Sequence, residues 1–211
     1  MFDQKKLWDK AHQDGEINHY SSTPTELAEE VIKIIQPSSK ILELGCGVGN
    51  DSGAFTSAGH HVLATDFSEV AIRKNSERFK DDSNLTFEML DMSQPFRFAD
   101  NEFDVVYARL SLHYFTEEIT RRVFSEIHRV LKPNGYFCFM CKSTKDPLYG
   151  KGKEIEKDMF EYEGHVRHFF NEESARSMLD NNFKIDEIEC GDGKFYGSDS
   201  AYVKAIATAV K

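Results

Sequence analysis

The sequence contains no run of about 18 apolar residues, the length that a membrane-spanning helix requires. Cysteine is scarce as well, because Cys46, Cys138, Cys141 and Cys190 do not form the dense pattern of a small secreted disulfide protein. The first residues also lack the apolar core of a signal peptide. These absences predict a cytoplasmic protein without a membrane segment.

The sequence contains fewer basic than acidic residues. The 26 lysines and arginines are outnumbered by 36 aspartates and glutamates, which gives a net charge of −10. Such a protein repels a phosphate backbone, so the composition argues against nucleic acid as a partner. The 211 residues, 40% of them hydrophobic, are enough to bury a sizeable core. We therefore interpret residues 1–211 as a single domain.

Two of the cysteines, Cys138 and Cys141, form a C-x-x-C motif. They lie in a predicted strand, where residues three apart point to opposite faces. The sequence contains no second pair of this kind. This favours structural cysteines over a metal or redox site, and we expect no metal ion.

Strand-like and helix-like segments alternate along most of the sequence. Apolar runs predict strands, and Ser68, Thr116 and Asn171 are candidate N-caps of helices between them. This alternation predicts an α/β fold, a doubly wound and mostly parallel sheet with helices on both faces. A glycine-rich turn joins the final two runs as a hairpin, which makes the last of seven strands antiparallel. The predicted strands span 40–44, 61–65, 85–90, 103–108, 136–141, 183–190 and 201–210.

A glycine-rich turn follows the first predicted strand. Gly45, Gly47 and Gly49 stand at every second position, where the backbone can turn tightly and approach a ligand. Asn50 occupies the position of the third glycine in the dinucleotide-binding pattern G-x-G-x-x-G. The spacing therefore argues against nicotinamide or flavin and favours S-adenosylmethionine. Glu43, just before the glycines, would hold the loop or meet the ligand's amino group.

Further motifs follow at the ends of the other strands. Asp66 ends the second predicted strand, and Asp91-Met92 follows the third. Residues 103–106 (FDVV) open the fourth strand, and residues 131–135 (LKPNG) precede the fifth. Together with the glycines, the order and spacing of these motifs resemble the class I S-adenosylmethionine-dependent methyltransferases over residues 24–210. Within that family, residues 47–52 are most similar to small-molecule enzymes such as the thiopurine and tellurite methyltransferases.

The resemblance implies a Rossmann-like methyltransferase fold whose cofactor, S-adenosylmethionine, lies over the carboxyl ends of the central strands. Gly45, Cys46 and Gly47 would approach its methionine part through their backbone. Asp66 would accept both ribose hydroxyls, and Phe67 would lie against the adenine ring.

The resemblance also assigns residues near the adenine and the sulfonium. Asp91 would accept the adenine amino group, and Met92 would cover the ring. Ala108 and Arg109 would pass near the sulfonium. Arg109 would pair either with the methionine carboxylate or with a surface acid of the protein.

The methyl acceptor is harder to place from the sequence. Methyl transfer needs mainly positioning and exclusion of water, and a base is needed only if the acceptor loses a proton. His113, just past the fourth strand, is the candidate catalytic base, with a packing role as the alternative. His165, Arg167 and His168 stand beside two aromatic residues. That cluster is compatible with acceptor binding, anion binding, a metal or packing.

Two segments outside the regular alternation are candidates for covering the acceptor. Residues 1–22, which include a short amphipathic helix around Trp8, would form an N-terminal lid segment. Residues 142–170 interrupt the alternation with a long polar stretch, which we interpret as an irregular insertion on the acceptor side.

The sequence therefore predicts an enzyme that transfers a methyl group from S-adenosylmethionine to a small molecule. A protein methyltransferase that acts on a lysine, an arginine or a terminus is the second interpretation. A third is a non-catalytic module that keeps the cofactor, and a nicotinamide-dependent oxidoreductase is the most distant. No motif identifies the acceptor, the methylated atom or the oligomeric state.

Overall fold

The computed structural model describes residues 4–15 and 23–211. The helices of these residues are α1 (Gln4–Asp14), α2 (Glu26–Ile34), α3 (Asn50–Ser57), α4 (Glu69–Arg78), α5 (Glu117–Val130) and α6 (Glu172–Leu179). The strands are β1 (Lys40–Leu44), β2 (His61–Asp66), β3 (Leu85–Met89), β4 (Phe103–Arg109), β5 (Leu131–Lys142), β6 (Lys153–Glu156), β7 (Met159–Tyr162), β8 (His165–His168), β9 (Phe183–Phe195) and β10 (Ser198–Ala209).

Seven strands form the main sheet in the order β3-β2-β1-β4-β5-β10-β9. The first five of these run parallel to their neighbours, whereas β10 pairs antiparallel with both β5 and β9. The chain order reverses between β1 and β4, so a crevice opens at their carboxyl ends. This arrangement confirms the predicted doubly wound, seven-stranded sheet with an antiparallel last strand.

Helices cover both faces of the sheet, and each face has its own hydrophobic core. On one face, α2 and α3 pack against the sheet through Leu27, Val31 and Phe55. On the other face, α5 and α6 pack through buried residues such as Phe124 and Leu179. The two cysteines of the C-x-x-C motif lie in different cores, as their spacing on a strand predicts. Burial raises the pKa of both thiols, which keeps them protonated.

Local capping positions several of the helices. Ser68 accepts a hydrogen bond from Ala71 N (3.2 Å) at the start of α4, directly after β2. Asn171 and Ser174 form a reciprocal capping box at the start of α6. These caps confirm the predicted helix starts, and the short connection after β2 holds the carboxyl end of that strand at the crevice.

The segment over 142–170 differs from the irregular insertion expected from the sequence. It folds into a separate antiparallel sheet in the order β6-β7-β8. Glu163 and Gly164 form the two-residue turn between β7 and β8, with φ of 52° and 80°, the left-handed values that tight hairpins require. The strands are only four residues long and largely polar, so they carry little of the hydrophobic alternation by which strands are recognised.

None of the helices in residues 4–15 and 23–211 combines the length and the hydropathy that a membrane crossing requires.

Candidate functional site

The glycine-rich loop lies at the carboxyl end of β1 and is fixed from several sides. Gly45 N and Cys46 N both donate to Thr65 O at 2.8 Å, which ties the loop to β2. Asn75 of α4 donates to Gly47 O at 2.8 Å. Gly47 has φ of 55°, and a Cβ built on it would meet no atom within 4 Å. Its backbone therefore faces open space, as a ligand-binding loop requires.

Asp66 lies at the end of β2, directly beside this loop. Its Oδ2 accepts a hydrogen bond from Gly47 N (2.9 Å), and its Oδ1 accepts one from Ser68 N (2.8 Å). Burial raises the pKa of the carboxyl group, while these backbone donors and nearby His12 oppose the rise. Each carboxylate oxygen has two lone pairs and can accept a further bond. Asp66 thus connects the loop to the start of α4 and still presents acceptors to a ligand.

Asp91 and Met92 follow β3 at the same edge of the sheet. Asp91 Oδ1 accepts hydrogen bonds from Ser93 N (2.9 Å) and Ser93 Oγ (2.7 Å), which fixes the carboxylate in a tight turn. Both residues line a cavity of about 550 Å³ together with Asp66 and Phe67. The structure therefore brings these four sequence-predicted residues into one pocket.

A second cavity of about 410 Å³ lies on the other side of the glycine loop and contains Glu43 and Cys46. Glu43 is 4% exposed and accepts a hydrogen bond from Ser52 Oγ. Burial, reinforced by nearby Asp51, raises the pKa of Glu43 to about 8. The carboxyl group is therefore protonated at neutral pH. A cationic ligand group beside it would stabilise the ionised form.

Arg109 and Tyr196 line both cavities, as do His12, Gly45 and Gly47. The Arg109 guanidinium stacks on the Phe195 ring at 5.1 Å, and in the described part of the chain no carboxylate pairs with it. The alternative that Arg109 pairs with a surface acid of the protein is therefore not seen among the described residues. Ala108 differs from its neighbour because its side chain is fully buried in a hydrophobic core and lines neither cavity. Side chains alternate along a strand, so only one of the two can face the crevice.

Helix α1 covers the larger cavity with Gln4, Lys5, Trp8 and His12. Ser68 Oγ donates to Asp9 at 2.7 Å, which joins α1 to the start of α4. Gln4 Nε2 donates to Gly164 O at 2.9 Å, which joins the helix to the turn between β7 and β8. Sequence reasoning did not assign Gln4, His12, Asn75 or Tyr196 to the site. The amphipathic pattern around Trp8 was the available signal for α1.

A scan against family models matches residues 41–135 to the methyltransferase domain family. The matched segment runs from the first residues of β1 into β5 and includes the glycine loop, Asp66 and Asp91. This match covers 95 of the 211 residues and identifies a methyltransferase domain in this part of the chain. This confirms the resemblance seen in the sequence.

Individual relatives extend the comparison. The chain is 31% identical over 144 residues to phosphoethanolamine N-methyltransferase 1 of Triticum aestivum, a match that covers 63% of this chain and 29% of the relative. The chain thus spans less than a third of that relative's length. The structure of a Methanosarcina mazei S-adenosylmethionine-dependent methyltransferase is 23% identical, with a TM-score of 0.75 over 86% of this chain and 97% of the other.

A third relative is the Burkholderia thailandensis 1,6-didemethyltoxoflavin-N1-methyltransferase, whose structure contains its acceptor and S-adenosylhomocysteine. It is 16% identical, with a TM-score of 0.79 over 99% of this chain and 88% of the other. At these identities the two structural relatives establish the shared fold. S-adenosylmethionine is the cofactor of the methyltransferase family that residues 41–135 match. The family match thus confirms the cofactor predicted from the sequence.

The residues present fit this cofactor. Gly47 leaves space for close approach of a ligand, and carboxylates at the ends of β2 and β3 offer acceptors for hydroxyl and amino groups. On the other side of the loop, Arg109 offers a positive charge, and the protonated Glu43 can ionise beside a cationic ligand group. A volume of several hundred Å³ is typical of small-ligand sites.

His113 does not face the cavity, which differs from its expected position beside the acceptor. It lies in the 3₁₀ turn Leu112–Tyr114 with no exposed surface, and neither ring nitrogen has a hydrogen-bond partner. Burial lowers its pKa well below the usual range, and the cations of Lys142 and Arg167 lower it further. A base must reach the proton that it abstracts, so this placement does not suit the role proposed from the sequence.

The cluster at β8 lies just behind the cavity wall. His165 packs against the Trp8 ring at 5.4 Å, and the His168 ring packs against Phe170 at 4.8 Å. Arg167 lies close enough to the Tyr114 hydroxyl to lower its pKa. Tyr114, Phe115 and Trp8 all line the cavity, whereas the three β8 residues support it from behind.

Proposed function

We propose that this protein transfers a methyl group from S-adenosylmethionine to a small-molecule acceptor. The observation that carries this proposal is the roofed cavity in which Asp66, Asp91 and Met92 meet the glycine loop. Its volume of about 550 Å³ suits a cofactor and a small acceptor side by side. Two of the three relatives named above, the Triticum aestivum and Burkholderia thailandensis enzymes, also carry small-molecule acceptors in their names.

In this proposal the cofactor lies across the glycine loop and occupies both cavities. Asp66 accepts the ribose hydroxyls, and Asp91 accepts the adenine amino group. Phe67 and Met92 lie against the adenine ring. These assignments are the ones that the family resemblance implies, and all four residues line the larger cavity.

The methionine part then occupies the second cavity. Glu43 loses its proton when it meets the ammonium group, and Arg109 pairs with the carboxylate. The backbone at Gly45 and Cys46 borders this part of the ligand. Opposite charges on the wall therefore fix the direction in which the cofactor is bound.

Methyl transfer requires the protein mainly to align the acceptor with the methyl group of the cofactor. The cofactor supplies an activated methyl group, and the protein has to hold the acceptor in line and exclude water. The aromatic rings of Trp8, Tyr114 and Tyr196 border the space that remains for the acceptor. His113 helps to build the wall behind Tyr114, with its ring 4.4 Å from the Tyr114 ring.

The acidic residues of the small sheet are the feature that could bind the basic tail of a protein acceptor. In the structure three of them hold local hydrogen bonds. Glu156 accepts from Glu117 N, Asp158 accepts from the Tyr149 hydroxyl, and Glu161 accepts from Gly164 N. This supports a small-molecule acceptor over a peptide.

A turnover assay with labelled methyl donor tests the proposal. We expect methyl transfer to at least one member of a metabolite panel and none to a panel of lysine, arginine and N-terminal peptides. Transfer to peptides alone would favour the protein methyltransferase. Tight cofactor binding without transfer in either panel would favour a non-catalytic module. The cytoplasmic location stays a prediction.

Helix α1 and the small sheet β6–β8 together form the proposed cover of the acceptor site. They contact each other through Gln4 and Gly164, and through Trp8 and His165. A cover of this kind has to open for entry and close for reaction. The segments 1–22 and 142–170 are therefore proposed as parts of the same domain. Within the first of these segments, residues 1–3 and 16–22 lie outside the described residues.

Hydrogen exchange tests this cover. We expect cofactor plus acceptor to slow exchange in residues 4–14 and 153–168 more than cofactor alone does, because closure removes backbone amides from water. Residues 183–188 of β9 and 205–209 of β10, at the end of the hairpin away from the cavities, serve as the internal control. Equal exchange in both segments with and without acceptor would place the acceptor elsewhere.

The raised pKa of Glu43 leads to a prediction about stability. The folded protein keeps the carboxyl protonated up to about pH 8, whereas its ordinary pKa is 4.5. Between these values the folded state binds more protons than the unfolded state, so this group's contribution to stability falls as pH rises. Glu43→Gln removes the titration and can still accept the hydrogen bond from Ser52 Oγ.

We therefore expect Glu43→Gln to match the wild type near pH 5 and to melt several degrees higher near pH 8.5. Thermal unfolding of cofactor-free protein across this range measures the effect. Glu29→Gln, at an exposed position on α2, is the control and should follow the wild type throughout. A constant difference between Glu43→Gln and the wild type at all pH values would contradict the raised pKa.

A further inference from the structure

The acceptor side of the cavity contains a tyrosine that is held from behind by a cation. The Tyr114 ring lines the cavity and packs edge-on against Trp8 at 5.2 Å. The Arg167 side chain lies close enough to its hydroxyl to lower the pKa of that group. A guanidinium can only donate, so the tyrosine oxygen is the acceptor in this contact. The phenolic proton therefore remains available to a ligand in the cavity.

Tyr114 is suited to donate rather than to accept a proton from the substrate. Burial raises the pKa of its hydroxyl well above the ordinary value, and nearby Tyr196 adds to the rise. Arg167 opposes this shift only in part. The hydroxyl therefore stays protonated at neutral pH and cannot act as the general base of the reaction.

The layer behind Tyr114 contains buried polar atoms without partners. Arg167 Nε, both ring nitrogens of His113 and Nδ1 of His168 lack hydrogen bonds. His113 is fully buried and His168 is 5% exposed. These atoms lie behind the cavity wall, and of the three side chains only Arg167 carries a full charge, which the layer leaves without an acceptor at Nε.

The charge of this layer is positive in a protein whose net charge is −10. Lys142 is already compensated, because its Nζ lies 2.7 Å from Asp146 Oδ2. Arg167 has no such carboxylate in the described part of the chain, and its Nε is unsatisfied. A partly buried guanidinium without a counter-ion favours an anionic ligand in its vicinity.

We propose that Tyr114 binds an oxyanion group of the methyl acceptor through its hydroxyl and that Arg167 positions this hydroxyl from behind. The acceptor is thus a small molecule that carries a carboxylate or a phosphate. This inference rests on the proposed methyltransferase function and adds the class of substrate. Arg167 is a positioning residue here, and Tyr114 is the residue that touches the acceptor.

Titrating acetate and inorganic phosphate into the S-adenosylhomocysteine complex, observed by NMR, tests this inference. We expect at least one of these anions to bind and to shift the Tyr114 ring signals, and the one that binds identifies the oxyanion. Tyr114→Phe should weaken that binding about tenfold or more, the effect of losing one hydrogen bond to a charged group. Arg167→Gln should weaken it as well, and Arg167→Lys should restore part of the affinity.

Two controls separate this inference from the proposed function. All variants should bind S-adenosylhomocysteine as the wild type does, because neither residue belongs to the cofactor's side of the cavity. Arg176→Gln, at an exposed ion pair with Glu172 on α6, should leave anion binding unchanged. If the complex binds neither acetate nor phosphate, or if Tyr114→Phe binds them as the wild type does, the oxyanion site is wrong. Failure to bind S-adenosylhomocysteine would instead overturn the proposed function.

Discussion

Asp66→Ala is expected to weaken cofactor binding about ten- to a hundredfold, because a hydrogen bond to a charged group contributes roughly 1.5–3 kcal/mol. The carboxylate lies at the end of β2 and lines the larger cavity. It also accepts hydrogen bonds from Gly47 N and Ser68 N. The variant should therefore lose about 1–3 kcal/mol of stability as well. Calorimetry with S-adenosylhomocysteine and thermal unfolding measure the two effects.

Asp82→Ala is the matched control for this substitution. Asp82 Oδ1 accepts a hydrogen bond from Asn84 N at 3.0 Å, the same local turn that Asp66 forms with Ser68. It precedes β3, however, and so lies at the opposite end of the sheet from the cavity. We expect a modest loss of stability and unchanged cofactor affinity. Unchanged affinity in a folded Asp66→Ala protein would remove Asp66 from the site.

Gly47→Ala is expected to reduce cofactor affinity more than a hundredfold while the protein still folds. A Cβ at this position meets no protein atom within 4 Å, so it would project into the space that the ligand needs. The left-handed φ of 55° adds a backbone cost of about 1–2 kcal/mol for any residue with a side chain. The stability loss should therefore be small beside the loss of binding.

Gly59→Ala separates the backbone cost from the steric effect. Gly59 also has a left-handed φ, of 90°, and a Cβ there also meets no atom within 4 Å. It follows α3 at a distance from the cavity and lines neither pocket. Both variants should lose similar stability in thermal unfolding, and only Gly47→Ala should lose cofactor binding in calorimetry. Equal affinities in the two variants would mean that the loop does not approach the ligand.

The central sheet and the cofactor side of the site could be predicted from the sequence because both depend on local signals. Each parallel strand is a buried apolar run, and the residue that follows it must lie at the same edge of the sheet as the others. The proximity of Asp66 and Asp91 can therefore be predicted without knowing how the side chains pack. The fixed spacing of the glycines adds a backbone requirement that few other residues satisfy.

The acceptor side could not be predicted because it depends on contacts between distant segments. Gln4 meets Gly164 across 160 residues of sequence, and no local pattern encodes that pairing. His113 follows β4 as expected, but the packing of β8 against this turn buries its ring. Tyr196 reaches both cavities only because the hairpin of β9 and β10 ends there.

The three strands of the small sheet, β6 to β8, could not be recognised from the sequence either. Its strands are short, and charged residues such as Glu154 and Glu161 occupy positions that would have to be apolar in a typical half-buried strand. The residues of the turn between β7 and β8 indicate the hairpin better than the strands do. Glu163-Gly164 places a glycine at a position where two consecutive residues need positive φ.

Calorimetric titration of the purified protein with S-adenosylhomocysteine and, in parallel, with NAD tests the central claim most directly. The account predicts saturable 1:1 binding of S-adenosylhomocysteine and no binding of NAD, since the loop lacks the third glycine and the site presents carboxylates to an adenosine and a methionine. Binding of NAD without binding of S-adenosylhomocysteine would contradict it.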